Sequence, residues 1–428
     1  MYWWSPLCIL HLANTVPPPG GIVKHMPIDR RSFVAAAAAA IHPARLLAAQ
    51  QSKPDQARDP LGVRADFPIV SNHVFLNSAY IAPTHRAVIA ANHAYIGGKS
   101  ARPMQLSALM ATNEAVRTQF ARIVKATPDE IGLLYSTGEG ESVIANGIGL
   151  KAGDNVVIDD LHYNTEFVLY RALEASRGIE LRIVKSRSGA VTASDFEPHI
   201  DKRTRIVSVA WVSHLNGFRH DMRPIADLAH AHGALFYADA VQAVGMIDID
   251  VRAAGVDALC CGSYKWLMAE FGVAPFFVSR HVIDRIQSDR IGEFSVARTE
   301  PDYHYQLLKT TRKFEGTSRA FGAVSQLQAS LSYLEKVGIP RIEEHTVGLA
   351  HQLHEGLVKQ GHKISTPEGN RSSIVTFDCT KPVADARAAF QVRNIEVTVR
   401  NGQIRIAPAL FNNAEEIEKC LDVTRQLV

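Results

Sequence analysis

Two polar residues, an aspartate and a lysine, each follow an apolar run in the middle of the chain. Asp239 ends the run 234–238, and Lys265 follows a second run, 256–261, after a Gly-Ser-Tyr turn. Two buried strands that each deliver a polar group at the C-terminal end frame a ligand crevice in an open α/β sheet. A carboxylate there can keep a ring nitrogen protonated, and an amine can form a Schiff base with an aldehyde. Either residue alone would be a helix cap or a loop lysine, but the pair indicates a pyridine aldehyde cofactor.

Length and composition indicate the class of protein that carries this pair. The chain has 428 residues, of which 46% are hydrophobic and 21% charged, as is typical of a globular enzyme with more than one domain. The net charge is only +3, and no dense basic patch is interleaved with aromatic residues, which disfavours nucleic acid as a partner. The five cysteines form no C-x-x-C pair, which disfavours a zinc site or a redox couple. We therefore expect two domains sharing a sheet-based core, and no metal.

The N-terminal segment resembles an export signal. Arg30-Arg31 precedes an alanine-rich, weakly apolar run, as in twin-arginine signals, although a surface alanine helix would give a similar pattern. The run 33–41 is too short to be a stable membrane anchor. We predict that residues 1–50 are an extension that directs export to the periplasm, with the cytoplasm as the location if the signal is spurious. The true start is either Met1 or Met26.

Strand-like and helix-like segments alternate along the rest of the chain. The alternation predicts a mostly parallel sheet with helices on both faces. A long helical segment, 322–361, then leads into a tail with the order strand, helix, strand, strand, helix. We predict an α/β protein with a large cofactor-binding domain over 66–320 and a small α+β C-terminal domain over 321–428, residues 66–90 being open to either domain. The main predicted strands of the large domain are 131–135, 155–158, 180–184, 205–212 and 272–278.

Read together, these segments resemble the class V aminotransferase family of fold-type I pyridoxal-phosphate (PLP) enzymes, which includes isopenicillin-N-epimerase-like proteins and cysteine desulfurases. The resemblance covers Asp66 to the C-terminus and is strongest at the D-x-x-Q pair Asp239 and Gln242, followed by Ser263-Tyr264-Lys265-Trp266. It implies the PLP-dependent transferase fold type I, with pyridoxal 5'-phosphate as cofactor. It further implies that Lys265 carries the internal aldimine, that Asp239 pairs with the pyridinium nitrogen and that Gln242 hydrogen-bonds the ring oxygen.

The resemblance also implies a phosphate site and a stacking ring. The turn Gly138-Glu139-Gly140 lies between a strand and a helix, where free N–H groups face an anion, although Glu139 replaces a small hydroxyl residue common in the family. Ser263 is the second expected phosphate ligand, through its hydroxyl. Tyr163 is expected to stack on the pyridine face, and His162 would take its place if the match slips by one residue.

Substrate and partner contacts follow from the same resemblance. Arg405 matches the arginine that grips the substrate α-carboxylate through two parallel hydrogen bonds, with Arg400 as a second candidate and Tyr80 as part of the pocket lining. Asn216, one place early relative to the common spacing, is assigned to the cofactor ring oxygen. The segment ending at Thr317 resembles the family's F-E-x-G-T segment, one residue shorter, whose threonine reaches the phosphate of the neighbouring subunit. It therefore implies a homodimer with shared active sites.

The reaction is less determined than the cofactor, because one scaffold hosts several chemistries. Cysteine desulfurases of the family carry a nucleophilic cysteine between the strands that bear Arg400 and Arg405, and here that connection, 401–404, contains none. A persulfide-relay desulfurase is therefore disfavoured. We expect an aminotransferase or an isopenicillin-N-epimerase-like enzyme that acts on an amino acid, with Lys265 as the base. The alternatives are a C–S or C–C lyase of the cysteine-lyase or kynureninase type, and a non-catalytic PLP-binding protein.

Overall fold

The computed structural model describes residues 58–400 and 402–428. The predicted export signal lies outside the described residues, and the predicted domain boundary at residue 320 stays a prediction. The described residues belong to one compact unit. Their strands are β1 (Val74–Phe75), β2 (Ile131–Leu134), β3 (Asn155–Asp159), β4 (Glu180–Val184), β5 (Thr204–Ala210), β6 (Leu235–Asp239), β7 (Ala258–Cys260), β8 (Ala274–Val278), β9 (Val296–Thr299), β10 (Tyr305–Leu307), β11 (Val375–Asp378), β12 (Ile395–Glu396), β13 (Thr398–Arg400) and β14 (Gln403–Ile406).

Helices follow most strands of the first part of the chain and dominate its last third. None of the described helices is both long and apolar enough to cross a lipid bilayer. Their bounds are α1 (Arg86–Ala101), α2 (Leu106–Val124), α3 (Thr137–Gly147), α4 (Asn164–Arg177), α5 (Ala193–Phe196), α6 (Met222–Ala231), α7 (Phe321–Val337), α8 (Ile339–Lys359), α9 (Val383–Gln391) and α10 (Ala414–Thr424).

A seven-stranded sheet in the order β2-β8-β7-β6-β5-β3-β4 forms the centre of the molecule. β4, β3, β5, β6 and β7 run parallel, whereas β8 runs antiparallel to both of its neighbours. The prediction of a mostly parallel sheet is therefore confirmed. The register places Asp239 beside Ala210 on one side and Cys260 on the other. The carboxyl ends of β5, β6 and β7 thus form one edge, where open α/β sheets bind ligands.

Apolar layers cover both faces of the sheet, because successive strand residues point to opposite sides. Ile206 and Leu235 belong to the layer that also contains Val143 of α3 and Tyr170 of α4. Their neighbours along the strands, such as Phe236, belong to the opposite layer, with residues of α2, α6 and α7. Helices on both faces were predicted from the alternation of segments, and the structure confirms them.

The C-terminal part contains a three-stranded antiparallel sheet in the order β11-β14-β13, with its own apolar cluster against α8, α9 and α10. The N-terminal strand β1 pairs in parallel with β12, and Asn77 forms a bridge to Ala407. The chain therefore brings its first described strand next to the segment that carries Arg405.

Two local features differ from the sequence expectations. The helical segment predicted over 322–361 is two helices, because Gly338 takes a φ of 93° and Pro340 follows in the first turn of α8. The antiparallel hairpin of β9 and β10 was not predicted. Its strands are short and largely exposed, so the apolar alternation that identifies a strand is missing.

Candidate active site

The turn after β7 places Lys265 in a cavity at the carboxyl edge of the sheet. The cavity also receives residues from the turn after β1, from the start of α4 and from the β13–β14 hairpin. Its lining is aromatic and cationic, with no carboxylate among the lining residues: Ala79, Tyr80, Ile81, Tyr163, His214, Gln242, Tyr264, Lys265, Phe271, Arg400 and Arg405.

The Lys265 side chain is nearly buried, with 7% of its surface exposed. Its Nζ lies 5.9 Å from the ring centroid of Tyr163 and 5.6 Å from that of Tyr264. Burial lowers the pKa of Lys265, Asp239 opposes the shift and Arg405 adds to it, and the net pKa is about 8. A substantial fraction of the amine is therefore neutral near physiological pH, as a nucleophile or a general base must be.

Asp239 is the last residue of β6 and is 4% exposed. Its Oδ1 accepts a hydrogen bond from the N–H of Val241 at 2.9 Å. Burial raises the pKa of the Asp239 carboxyl, while the Val241 amide and Lys265 lower it. A buried carboxylate is costly without a cationic partner, and a protonated ring nitrogen would supply one.

Gln242 connects three parts of the site. Its Oε1 accepts a hydrogen bond from Trp266 Nε1 at 2.8 Å, and its Nε2 donates to the carbonyl of Ala79 at 2.9 Å. The indole N–H can only donate, which fixes the orientation of the amide. Gln242 therefore locks the Lys265 turn to the loop after β1, and its second amide N–H remains for a ring oxygen.

Tyr163 and His162 occupy different environments. Tyr163 is 43% exposed, lines the cavity and packs edge-on against His214 at 5.0 Å between ring centroids. His162 is fully buried, accepts a hydrogen bond at Nδ1 from the Tyr163 N–H (2.8 Å), and its Nε2 lies 2.9 Å from Ser208 Oγ. Burial lowers the pKa of His162 to about 4, so the ring is neutral. The ring that faces the cavity is thus Tyr163, and His162 holds its backbone.

Arg405 and Arg400 face the same cavity from the β13–β14 hairpin. Arg405 is 3% exposed, and donates from Nη1 to the His214 carbonyl (2.7 Å) and from Nη2 to Thr398 Oγ1 (3.2 Å). Its buried Nε has no partner among the described residues. Burial and the charge of Arg400 lower the pKa of Arg405, and burial lowers that of Arg400. An anion that enters the cavity would therefore stabilise the charged form of both guanidinium groups.

The turn before α3 abuts the turn that carries Lys265. Gly262 N–H donates to Thr137 Oγ1 at 2.9 Å. Glu139, at the N-terminus of α3, accepts from the Tyr135 N–H at 2.7 Å and pairs with Arg290, which turns its carboxylate aside. At Gly140, an added Cβ would lie 2.4 Å from the Cβ of Cys260. A glycine is therefore needed at position 140 so that α3 can pack closely on β7. The backbone N–H groups near Gly138, at the N-terminus of α3, are the candidate anion site.

Beyond Asp239 and the turn 138–140, three further residues assigned to the cofactor, Ser263, Asn216 and Thr317, do not line the cavity. Ser263 is fully buried, and its hydroxyl donates to the backbone carbonyl of Val273 at 2.9 Å. Asn216 binds the Gly189 carbonyl (2.7 Å) and the Phe218 N–H (3.0 Å), which ties a loop together away from the cavity. Thr317 is exposed on the surface. Within the described chain, Ser263 and Asn216 therefore hold loops, and Thr317 is open to solvent.

The sequence reasoning missed a buried carboxyl pair behind the site. Glu141 and Glu166 are each 1% exposed, and Tyr170 donates to Glu141 Oε1 at 2.7 Å. Burial and the Glu141 charge raise the pKa of Glu166, while hydrogen bonds from Ser208, Tyr170 and Glu166 oppose the effect of burial on Glu141. The net effect raises the pKa of Glu141 to about 7 and that of Glu166 to about 11, so Glu166 keeps its proton at neutral pH. The spacing Glu166, Tyr170, Leu173 on the buried face of α4 was the available signal.

These donors suit pyridoxal 5'-phosphate. The Lys265 amine, with its lowered pKa, matches the aldehyde, and the buried Asp239 carboxylate matches the pyridine nitrogen. The Tyr163 ring matches the pyridine face, and the unpartnered Nε of Arg405 matches the carboxylate of a substrate. A family model described as "Aminotransferase class-V" matches residues 74–420. The chain belongs to the class V aminotransferase family. It is accordingly a PLP-dependent enzyme with a fold-type I architecture.

Similarity to individual members of the class V family extends over most of the chain. A probable cysteine desulfurase of Methanothermobacter thermautotrophicus is 30% identical over 83% of this chain and 95% of its own length. An uncharacterized aminotransferase of Bacillus subtilis, YcbU, is 23% identical over 85% of this chain and 96% of its own. Solved structures with the same fold include the apo cysteine desulfurase of Thermococcus onnurineus (TM-score 0.79, 24% identity, 87% of this chain and 98% of that one) and the cystine C-S lyase C-DES (TM-score 0.79, 17% identity, 84% and 99%).

Proposed function

We propose that this protein is an aminotransferase that removes the α-proton of a bound amino acid with the amine of Lys265. The observation that carries the proposal is the convergence of Lys265 and Arg405 on one cavity beside Asp239. When bound, pyridoxal 5'-phosphate supplies an electron sink for the bond broken at Cα. Asp239 would hold the ring nitrogen protonated, and the amides near Gly138 would bind the phosphate.

The protein residues divide the remaining work. Arg405 binds the α-carboxylate and thereby fixes the direction of the Cα–H bond, while Tyr163 covers the ring and limits water at the reacting carbon. The neutral Lys265 amine accepts the proton from Cα on one face of the bound amino acid and can return it to a different atom. Epimerisation would require a second base on the opposite face. His214 lines the same cavity but would serve poorly as that base, because burial and the neighbouring cations lower its pKa to about 3.

Carbon–sulfur lyase activity is the second candidate, because several relatives are named cysteine desulfurases and C-DES is titled a cystine C-S lyase. A persulfide relay would need an accessible thiol. The cysteines of the described residues, Cys260, Cys261, Cys379 and Cys420, are all buried and none lines the cavity. Any sulfur chemistry would therefore release its product directly and would survive alkylation of accessible thiols.

A spectroscopic screen of amino acids against the purified holoprotein tests the proposal. We expect an absorbance change with a subset of amino acids, and formation of a keto acid when an acceptor keto acid is added. An inverted amino acid would point to epimerisation instead, and sulfide would point to the lyase. The Lys265→Ala protein is the matched control and should show no turnover. Absence of any spectral change with every amino acid would contradict the proposal and favour a binding protein.

A further inference from the structure

The pair of arginines in the cavity carries an inference about the substrate. β13 and β14 are antiparallel neighbours in which Thr398 faces Arg405 and Arg400 faces Gln403. Residues two apart on a strand share a face, so Arg400 and Arg405 are diagonal neighbours on one side of the hairpin, roughly 7–8 Å apart. Both side chains line the Lys265 cavity. The two cations are therefore held near each other by backbone register as well as by side-chain packing.

Neither cation has an acidic partner in the described part of the chain. Arg405 donates its observed hydrogen bonds to a carbonyl and a hydroxyl, which are both uncharged. The charged neighbour that affects its pKa is Arg400, another cation. Two other buried arginines do have an acidic partner, because Arg117 and Arg319 both pair with the carboxylate of Glu315. Two uncompensated guanidinium groups in one cavity are costly to the folded protein unless a ligand neutralises them.

One α-carboxylate carries a single negative charge, so it balances the charge of only one of the two arginines even if it contacts both. Arg405 is the more deeply buried of the two, and its charge acts more strongly on Lys265 than that of Arg400 does, which suits it to the α-carboxylate. Arg400 is less buried and lies two residues closer to the hairpin turn. We propose that the substrate is an amino acid with a second anionic group at the end of its side chain, which Arg400 binds while Arg405 binds the α-carboxylate. This inference rests on the proposed action on amino acids and adds the substrate class.

Matched pairs of amino acids test the second anion. The affinity of the holoprotein is measured from its spectral change with L-glutamate against L-glutamine, L-2-aminoadipate against L-norleucine, and O-phospho-L-serine against L-serine. We expect at least one dianionic member to bind roughly tenfold tighter than its partner, as a charge-assisted hydrogen bond would give. The first two pairs identify a carboxylate, and the third identifies a phosphate. Equal binding within all three pairs would overturn the inference.

Variants of the two arginines separate their roles. Arg400→Gln should lose roughly tenfold of the affinity for the dianionic member and far less for its uncharged partner, and Arg400→Lys should restore part of the preference through its point charge. Arg405→Gln should weaken both members. Equal losses for both members in Arg400→Gln would overturn the inference, because Arg400 would then not distinguish the second anion.

A binding measurement without chemistry separates failure of this inference from failure of the proposed function. Calorimetry of the cofactor-free protein compares glutarate, which has two carboxylates, with butyrate, which has one. Preferential binding of glutarate that Arg400→Gln removes would support the two-anion site even if no amino acid reacted. Equal binding of glutarate and butyrate, together with normal amino-acid turnover, would overturn this inference and leave the proposed function standing.

Discussion

At the scale of single residues, Lys265 illustrates how burial prepares a side chain for chemistry. An exposed lysine is almost fully protonated at neutral pH, and a protonated amine can neither attack an aldehyde nor accept a proton. The 7% exposure of Lys265, together with two nearby arginines, lowers its pKa to about 8. Asp239 acts in the opposite direction, so the amine is tuned by a balance of its neighbours.

The pKa of Lys265 predicts how the protein takes up its cofactor. Since only the neutral amine reacts, the rate of covalent capture of pyridoxal 5'-phosphate by the cofactor-free protein should rise through about pH 8 and level off above it. Stopped-flow absorbance between pH 6 and pH 10 measures this rate. Arg405→Met removes a cation that lowers the pKa, so its profile should shift to higher pH.

The Lys265→Ala protein is the control for that experiment and should show no covalent capture at any pH. A profile in the native protein that rises only near pH 10, as for an exposed lysine, would contradict the environment described for this amine. An unshifted profile in Arg405→Met would show that Arg405 does not act on Lys265.

The residues that the sequence predicted best are those attached to strand ends. Asp239 ends β6 and Lys265 follows β7, and parallel strands deliver their ends to one edge, whereas Arg405 lies within the antiparallel strand β14. Ser263 and Asn216 could not be placed in this way, because their hydrogen bonds go to carbonyls of Val273 and Gly189, which other loops bring to them. Hydroxyl and amide groups bind any nearby carbonyl, so sequence alone does not determine their orientation.

At the scale of elements, the contact of α3 with β7 sets the position of the predicted anion site. α3 begins at Thr137, and Gly140 in its first turn packs directly on Cys260. The Thr137 hydroxyl in turn accepts the Gly262 N–H, two residues after β7 ends. The N-terminus of α3 and the turn that carries Lys265 are therefore held together by the close contact of Gly140 with Cys260, which only glycine permits.

Substitution of Gly140 tests that contact. In Gly140→Ala the new Cβ would meet the Cys260 Cβ at 2.4 Å, so α3 must move away from β7. We expect a loss of about 1–3 kcal/mol in the free energy of unfolding and weaker binding of pyridoxal 5'-phosphate. Urea denaturation and equilibrium cofactor titration measure the two effects.

The double variant Gly140→Ala/Cys260→Gly removes the atoms that clash and provides the control. Because the two positions are in contact, its loss of stability should be smaller than the sum of the two single losses. Strict additivity, or a Gly140→Ala protein with native stability and cofactor affinity, would contradict the proposed packing role of Gly140.

Element types followed from the sequence more readily than element boundaries and pairing. The segment 164–177 was predicted as a helix with its observed ends, since Gly178 provides a left-handed stop with φ of 70°. The antiparallel direction of β8 was not predicted, because its residues are buried and apolar like those of the parallel strands. Strand direction depends on the path of the connecting chain, which periodicity does not report.

At the scale of the whole molecule, the segment around Thr317 combines a fixed base with an exposed tip. Glu315 is 2% exposed, accepts a hydrogen bond from the Leu133 N–H at 2.7 Å, and pairs with Arg117 and Arg319. Thr317, two residues on, is exposed, and its carbonyl accepts a hydrogen bond from Arg319. The same side chains therefore anchor the loop and direct its tip outward. We propose that a second copy of the chain receives this tip, so that Thr317 completes the site of the partner.

Mixed dimers test this proposal, because two inactive chains can restore one another only if the site is shared. Lys265→Ala removes the amine, and Thr317→Asp would place a negative charge beside the phosphate, so each variant alone should be inactive or nearly so. In a dimer with one chain of each kind, one site would combine the native Lys265 of one chain with the native Thr317 of the other. Differently tagged chains, co-expressed and purified as the mixed dimer, should regain about half of the native activity. If Thr317 served its own subunit, or if the protein were a monomer, no activity would return.

Ser318→Asp is the control variant, because it adds the same charge to the exposed neighbouring residue. Comparing the activity of Ser318→Asp with that of Thr317→Asp separates a specific contact of Thr317 from general repulsion by a charge on this loop.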